Sequence, residues 1–440
     1  MAGYIPKPQL VNRLTSRIFA QNYADTVATP QVIIIGAGVA GLTAAIELER
    51  AGHRPLILEA DDRPGGRLKT DQHEGFLLDR GFQVLLTDYP EVQRYLDLKA
   101  LDIGTFRPGG HVHTRQQRFR FADPLREPAQ LFRSTLSPIG TLSDKTKLAQ
   151  LSLSLRATSN EDCFRGYEEK PTQDYLWELG FSEQIVERFF RPFFGGIFLE
   201  LDLSTPAGLF RYIFKMFSQG SAALPAGGIE AIVHQLVGKL EHTEIRCGVG
   251  VTAVNGDTVT LDDGSTIAAP GGIIVACPPT KVLPRLAGSP VEWKSTTNLY
   301  FYSSRRLREN RLINLVSDPT SLINTFCVLD EVAPSYKMEG QGGSLISVTL
   351  RRPLDRESSI GQAEQDLLRH SRLPNDALRF LKRYDVRQAL PDLSRVAFRQ
   401  DPTHGRVMDR IFLAGDHQLN GSLDAAMRSG RLAAEGLLRV

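Results

Sequence analysis

Val32-Ile33-Ile34-Ile35-Gly36-Ala37-Gly38-Val39-Ala40-Gly41 is the stretch whose reading decides the fold. Its β-branched run reads as a buried strand. Its glycines have the spacing G-x-G-x-x-G. The apolar periodicity from Leu42 to Ala51 predicts a helix closed by Gly52, and a second apolar run, Leu56-Ile57-Leu58, ends in Glu59. Strand, glycine turn, helix, strand and acid form the dinucleotide fingerprint in its required context. Gly36 permits the tight turn, Gly38 lets backbone approach a pyrophosphate, and Gly41 lets the helix lie close to the strand. The helix N-terminus offers free N–H groups and partial positive charge to phosphates. Glu59 lies where a carboxylate accepts both hydroxyls of an adenosine ribose, which disfavours a 2′-phosphate. The fingerprint alone does not separate NAD from FAD.

Working outward, composition narrows the class. The chain has 440 residues, enough for two or three domains, and is 42% hydrophobic and 23% charged, which is globular. A net charge of +2 supplies no field for nucleic acid. Cys163, Cys247, Cys277 and Cys327 lie far apart, which fits a reducing compartment and no thiolate metal site; the nine histidines form no metal pattern either. No uninterrupted apolar run has transmembrane length.

Downstream of Glu59, Gly65-Gly66-Arg67 follows at the spacing E-x(5)-G-G-R. Here the sequence resembles the superfamily of flavin amine oxidases, phytoene desaturases and protoporphyrinogen oxidases. The resemblance implies FAD, with Gly65, Gly66 and Arg67 running along it. It also places Asp79 and Gly81 in a D-x-G segment lining the flavin, and Val251 in a strand whose backbone contacts the adenine. Near the C-terminus, Ala414-Gly415-Asp416 and Gly421-Ser422-Leu423-Asp424-Ala425-Ala426-Met427 resemble the family phrase A-G-D…G-x-[ML]-[ED]-x-A. It implies that Asp416 bonds the ribityl or phosphate side, and that amides around Ser422 and Leu423 at a helix start face the pyrimidine edge of the flavin. The likeness covers nearly everything from Val32 onward.

The expected fold class is α/β: a discontinuous Rossmann-like FAD-binding domain with an inserted α+β substrate domain. The boundaries are 31–106, 221–288 and 395–440 for the former, and 107–220 and 289–394 for the latter. Residues 1–30 are an extension in which Leu10, Leu14 and Ile18 recur every four residues. Three readings stay open for it: a helix packed on the protein's own body, a peripheral contact with an anionic membrane, or a transit peptide. Localisation follows the same split, between cytoplasmic, peripheral-membrane and organellar.

Within the substrate domain, Arg115, Arg118 and Arg120 alternate with Phe119 and Phe121 as in a solvated edge strand. An aromatic concentration from Phe181 to Phe217 is interrupted by Gly195-Gly196. It reads either as plain core or as an apolar tunnel for substrate, with Phe190, Phe194, Phe198 and Phe214 the expected lining. No acid or base announces itself by spacing. His417, beside Asp416, is the best-placed titratable candidate, against the plain reading of a buried structural histidine. Lys294 is the other: some amine oxidases hold a water at the flavin with a lysine on this segment, but the register here does not match, and a surface lysine is expected.

Amine oxidases often carry an aromatic residue where Ser422 stands, as half of a cage for a cation. Its absence, with the aromatic segment, points to a hydride-abstracting enzyme that desaturates or isomerises a large hydrophobic, isoprenoid- or carotenoid-like substrate and passes electrons to oxygen or a quinone. A tetrapyrrole whose propionates meet Arg115, Arg118 and Arg120, an amine oxidase, and a non-catalytic FAD-binding scaffold are the alternatives.

Overall fold

Three separated parts of the chain build one sheet. In the computed structural model, which describes residues 32–122, 126, 137–283, 290–354 and 359–440, the strand order is Glu244–Cys247, Leu56–Glu59, Ile33–Ile35, Ile273–Val275, Ile411–Leu413, Arg406–Met408. All neighbours run parallel except the last pair. The extension over 1–30 lies outside the described residues.

The β-branched run is apolar throughout because both faces of the sheet are covered. Val32, Ile34, Ile57, Ile274 and Phe412 enter the core under the helices. Ile33, Ile35, Leu58 and Val275 instead face a small antiparallel sheet, Val251–Asn255, Thr258–Leu261 and Thr266–Ala268. The helix Val39–Arg50 follows the first strand and packs against the C-terminal helix, Leu423–Leu437. Backbones meet there: a Cβ on Gly430 would lie 2.1 Å from the Ala40 carbonyl oxygen. Chain ends nearly four hundred residues apart thus share one layer.

The second body is a seven-stranded sheet ordered Leu378–Pro391, Trp293–Ser303, Ser344–Leu350, Ile323–Val328, Ile313–Val316, Gly110–His113, Arg118–Phe121. Arg118–Phe121 is an edge strand, as its alternation predicts. Its arginines are not simply solvated, however: Arg118 pairs with the buried Glu309. Ser344–Leu350 alternates apolar and polar residues from Ile346 onward, yet every position is buried. The polar face is satisfied from the neighbouring strand: Asn298 donates to Ser347 Oγ at 3.1 Å and accepts from Thr349 at 3.1 Å. A buried polar face paired in this way avoids the cost of unsatisfied groups.

The aromatic segment forms a π-helical turn, Val186–Phe190, then the helices Arg191–Phe198 and Ala207–Gln219. Gly195 and Gly196 do not interrupt it; the helix runs through them. They are small because neighbours are close: a Cβ would lie 2.6 Å from the Glu200 carbonyl oxygen at Gly195, and 2.4 Å from Asn324 Nδ2 at Gly196.

Candidate active site

The nucleotide end is built by local geometry. Gly36 has φ +103°, a conformation that favours glycine, and turns the chain out of the first strand. A Cβ on Gly41 would sit 2.0 Å from the Gly36 carbonyl oxygen, so the helix can start only where residue 41 lacks one. Gly38 behaves differently: a Cβ there would meet nothing within 4 Å. The space over it is open, as a closely approaching ligand requires. The Gly65-Gly66 loop runs alongside, with Gly65 N–H donating to the Ala37 carbonyl at 3.0 Å. Glu59 is buried at the end of its strand and accepts from the amides of Ala37 at 2.6 Å and Asp61 at 2.9 Å. Its carboxylate is therefore fixed at the head of the first helix. Val249 N–H donates to the Glu59 carbonyl at 2.9 Å and brings the strand carrying Val251 beside it.

The other end closes over the same turn. Ala414 N–H donates to the Val275 carbonyl at 2.8 Å, which places Gly415 and Asp416 at the carboxyl edge of the parallel sheet. Ligands bind at that edge in open α/β sheets. Arg67 reaches Asp416 at 2.5 Å and the Ala389 carbonyl at 3.0 Å, and lies over the Trp293 ring. Burial works against the Arg67 charge, but Asp416 outweighs it and holds the guanidinium firmly protonated. Gly415, at φ +142°, makes room for His417: a Cβ there would touch the imidazole at 2.5 Å. Burial pushes the His417 pKa down, against the opposing pull of Asp416, so the ring is neutral near neutral pH. Its Nε2 is buried without a hydrogen-bond partner.

Ser422 caps the C-terminal helix, accepting from the Ala425 amide at 3.0 Å and donating to Asn420 at 2.7 Å. The helix start is tied down from beneath. Asp424, fully buried, accepts from Tyr212 Oη and the Glu91 amide, both at 2.8 Å, and pairs with Arg428 at 2.8 Å. Asp79 ends the strand Phe76–Asp79, and Gly81, at φ +97°, lies on the loop after it. The Asp79 side chain is taken up inside the protein by Thr70 at 2.6 Å, Ile229 N–H at 2.9 Å and Tyr336 Oη at 2.7 Å. Burial raises its pKa.

Next to Gly421 and Ser422 lies a cavity of about 140 Å³. Ile197, Phe198, Leu209, Ile213, Leu390 and Val396 give it an apolar wall, and Tyr89, Thr205, Lys294 and Asn420 supply polar atoms. Of the four phenylalanines expected to line a tunnel, only Phe198 borders this cavity. Phe190 and Phe194 are fully buried among Phe210, Phe181 and each other, with the Phe194–Phe210 centroids 4.6 Å apart. Phe214 packs against Phe194 and Phe210. Rings that close on one another leave no lumen, so this region is mainly core.

Lys294 corrects a second expectation. It is not on the surface: its side chain is 12% exposed and ion-paired with Glu200, itself 6% exposed. The strand Trp293–Ser303 has a register shift between Lys294 and Thr296, and such bulges re-aim side chains. No residue spacing announces that shift. Thr205, Tyr89 and Asn420, which reach the cavity from elements apart in the chain, and Glu200, which lies behind it, are likewise announced by no local pattern. Cys277 is inert; burial pushes its thiol up to about 11.

An open glycine turn, a fixed carboxylate at the helix head, an arginine held by Asp416 and an orphaned imidazole nitrogen suit a flavin dinucleotide, and the fold is that of FAD-dependent oxidoreductases. The comparisons agree. The model of the family "Flavin containing amine oxidoreductase" matches residues 39–438, so the chain belongs to that family. An L-amino-acid oxidase of Bungarus fasciatus is 24% identical over 96% of this chain and 89% of its own length. Protoporphyrinogen oxidase 2 of Arabidopsis thaliana is 25% identical, over 42% of this chain and 35% of that protein. A putrescine oxidase variant with redesigned cofactor binding has the same fold, with a TM-score of 0.67 and 15% identity over 93% of this chain and 99% of that one. The protein is thus an FAD-dependent oxidoreductase, and the scaffold alternative gives way. Among the described residues no helix is long and apolar enough to cross a membrane.

Proposed function

We propose that the protein dehydrogenates or isomerises an isoprenoid-like substrate, seating one apolar, uncharged segment in the cavity beside Gly421 and Ser422. The cavity lining carries this reading: a branched aliphatic wall, no arginine, and a lysine already paired. Its volume is close to that of apolar cavities that hold a benzene-sized guest. It therefore suits one branched unit of a longer molecule rather than a whole carotenoid.

The roles of the chain follow. The turn from Gly36 to Gly41 would hold the FAD pyrophosphate, with Glu59 on the ribose and the strand at Val251 along the adenine. Gly65, Gly66, Arg67, Gly81, Gly415, Asp416, Ser422 and Leu423 would frame the rest, and Asp79 would keep that loop in place. Bound FAD supplies the hydride-accepting chemistry. The apolar side chains orient the substrate and exclude water. Amides at the start of Leu423–Leu437 would present partial positive charge to the pyrimidine edge of the flavin. His417 would offer its unpartnered Nε2 to the flavin for one hydrogen bond, donated or accepted according to tautomer.

A second reading, oxidation of an amine, has the amino-acid oxidase relative and one feature of the cavity in its favour. Tyr89 borders the cavity beside Ser422, so an aromatic ring reaches from another element the region where residue 422 provides none. The test is anaerobic. Flavin-loaded protein is mixed with a micellar acyclic polyprene, L-leucine or hexylamine, and the visible flavin band is followed. Bleaching by the polyprene alone supports dehydrogenation, and a shifted double bond in the recovered polyprene without lasting bleaching supports isomerisation. Bleaching by either amine, with none by the polyprene, transfers the assignment to amine oxidation.

A further inference from the structure

Lys294 and Glu200 are 94 residues apart in sequence and form a nearly dry ion pair at the cavity wall. Lys294 borders the cavity, while Glu200 lies behind it and borders a separate, water-sized space. Glu200 is held from several sides. Thr205 donates to it through its amide at 2.9 Å and its hydroxyl at 2.7 Å, and Ser204 Oγ donates at 3.2 Å. Lys294 also donates to Thr205 Oγ1 at 3.1 Å. Its other carboxylate neighbour, Asp392 at 3.4 Å, is 55% exposed and screened by water. An isolated buried ammonium would be costly and would seek an anion. Glu200 supplies that anion from within the protein.

We propose that Glu200 is a specificity-determining residue: by occupying the Lys294 ammonium it keeps the cavity electroneutral and bars carboxylate-bearing ligands. The inference rests on the cavity being the substrate seat. Removing the negative charge while keeping the shape turns Lys294 toward the cavity as a carboxylate acceptor. Shortening Lys294 opens the cavity to Glu200 and makes it an ammonium acceptor.

The experiment uses flavin-loaded protein with hexanoate, hexanamide and hexylamine as probes. Perturbation of the visible flavin band and the shift in thermal midpoint report binding. Glu200→Gln is expected to bind hexanoate at least about tenfold more tightly than the wild type, with hexanamide unchanged. The gain should vanish in Glu200→Gln/Lys294→Met. Lys294→Ala should gain hexylamine and not hexanoate, and it decides the matter if Glu200→Gln does not fold. Equal hexanoate binding by wild type and Glu200→Gln overturns the proposal, as does a gain that survives Lys294→Met. Failure of the substrate reading looks different: the polyprene then leaves the flavin unbleached and is recovered unchanged, while hexanoate binding still follows Glu200.

Discussion

The two halves of the molecule use glycine and burial for different ends. In the nucleotide half, neighbouring glycines within one turn do opposite things. Gly41 is small because the protein itself fills the space, whereas Gly38 faces open space. In the substrate half, Gly195 and Gly196 are both of the first kind, and aromatic rings fill what remains. The difference teaches where a ligand is built into the fold. At the carboxyl edge of the parallel sheet, an uncrowded glycine such as Gly38 leaves room for a ligand, whereas a glycine crowded by protein atoms marks packing.

Substitutions can break this contrast. The largest effect is expected for Gly41→Val, which drives a side chain into the Gly36 carbonyl and should cost more than about 4 kcal/mol. Denaturant unfolding checks it, and wild-type stability would remove the crowding argument. Gly38→Val is its counterpart: the apoprotein should lose only about 1 kcal/mol, the worth of a helix N-cap residue, while losing FAD on gel filtration. A yellow Gly38→Val protein would dissociate the open turn from the pyrophosphate.

Next comes Phe194→Ala, expected to cost about 3–5 kcal/mol with FAD content unchanged. A small loss of stability with altered substrate binding would restore the tunnel. Glu59→Ala is expected to weaken FAD binding by about 1.5–3 kcal/mol, the worth of charge-assisted hydrogen bonds. Titration of the apoprotein with FAD measures it, and an unchanged dissociation constant removes Glu59 from the ribose.

The last contrast concerns acid, where the effect per pH unit is small. Burial holds His113 down to about 3 and His370 to about 4, against an ordinary 6.5. Both are neutral in the folded protein, whereas the unfolded chain takes up protons below pH 6.5. Their stabilisation is therefore complete above that pH and is lost as pH falls toward 4. The expected slope is about 1 kcal/mol per pH unit for each histidine. His113→Gln with His370→Gln should flatten the acid limb of a plot of thermal midpoint against pH. An unchanged limb would show that these rings titrate normally.

Local rules made the nucleotide half readable. A β-branched run, a glycine spacing and an acid at a set distance depend on residues close in the chain, and the strand Ile33–Ile35, the helix after it and Leu56–Glu59 form where those rules put them. The tertiary structure alone decided the substrate side. A register shift turned Lys294 inward onto Glu200, ring-on-ring packing made core of Phe190 and Phe194, and Tyr89 arrived beside Ser422 from a distant segment. Those outcomes depend on contacts between residues far apart in sequence, whose energies exist only once the layers have closed, so no local pattern could carry them.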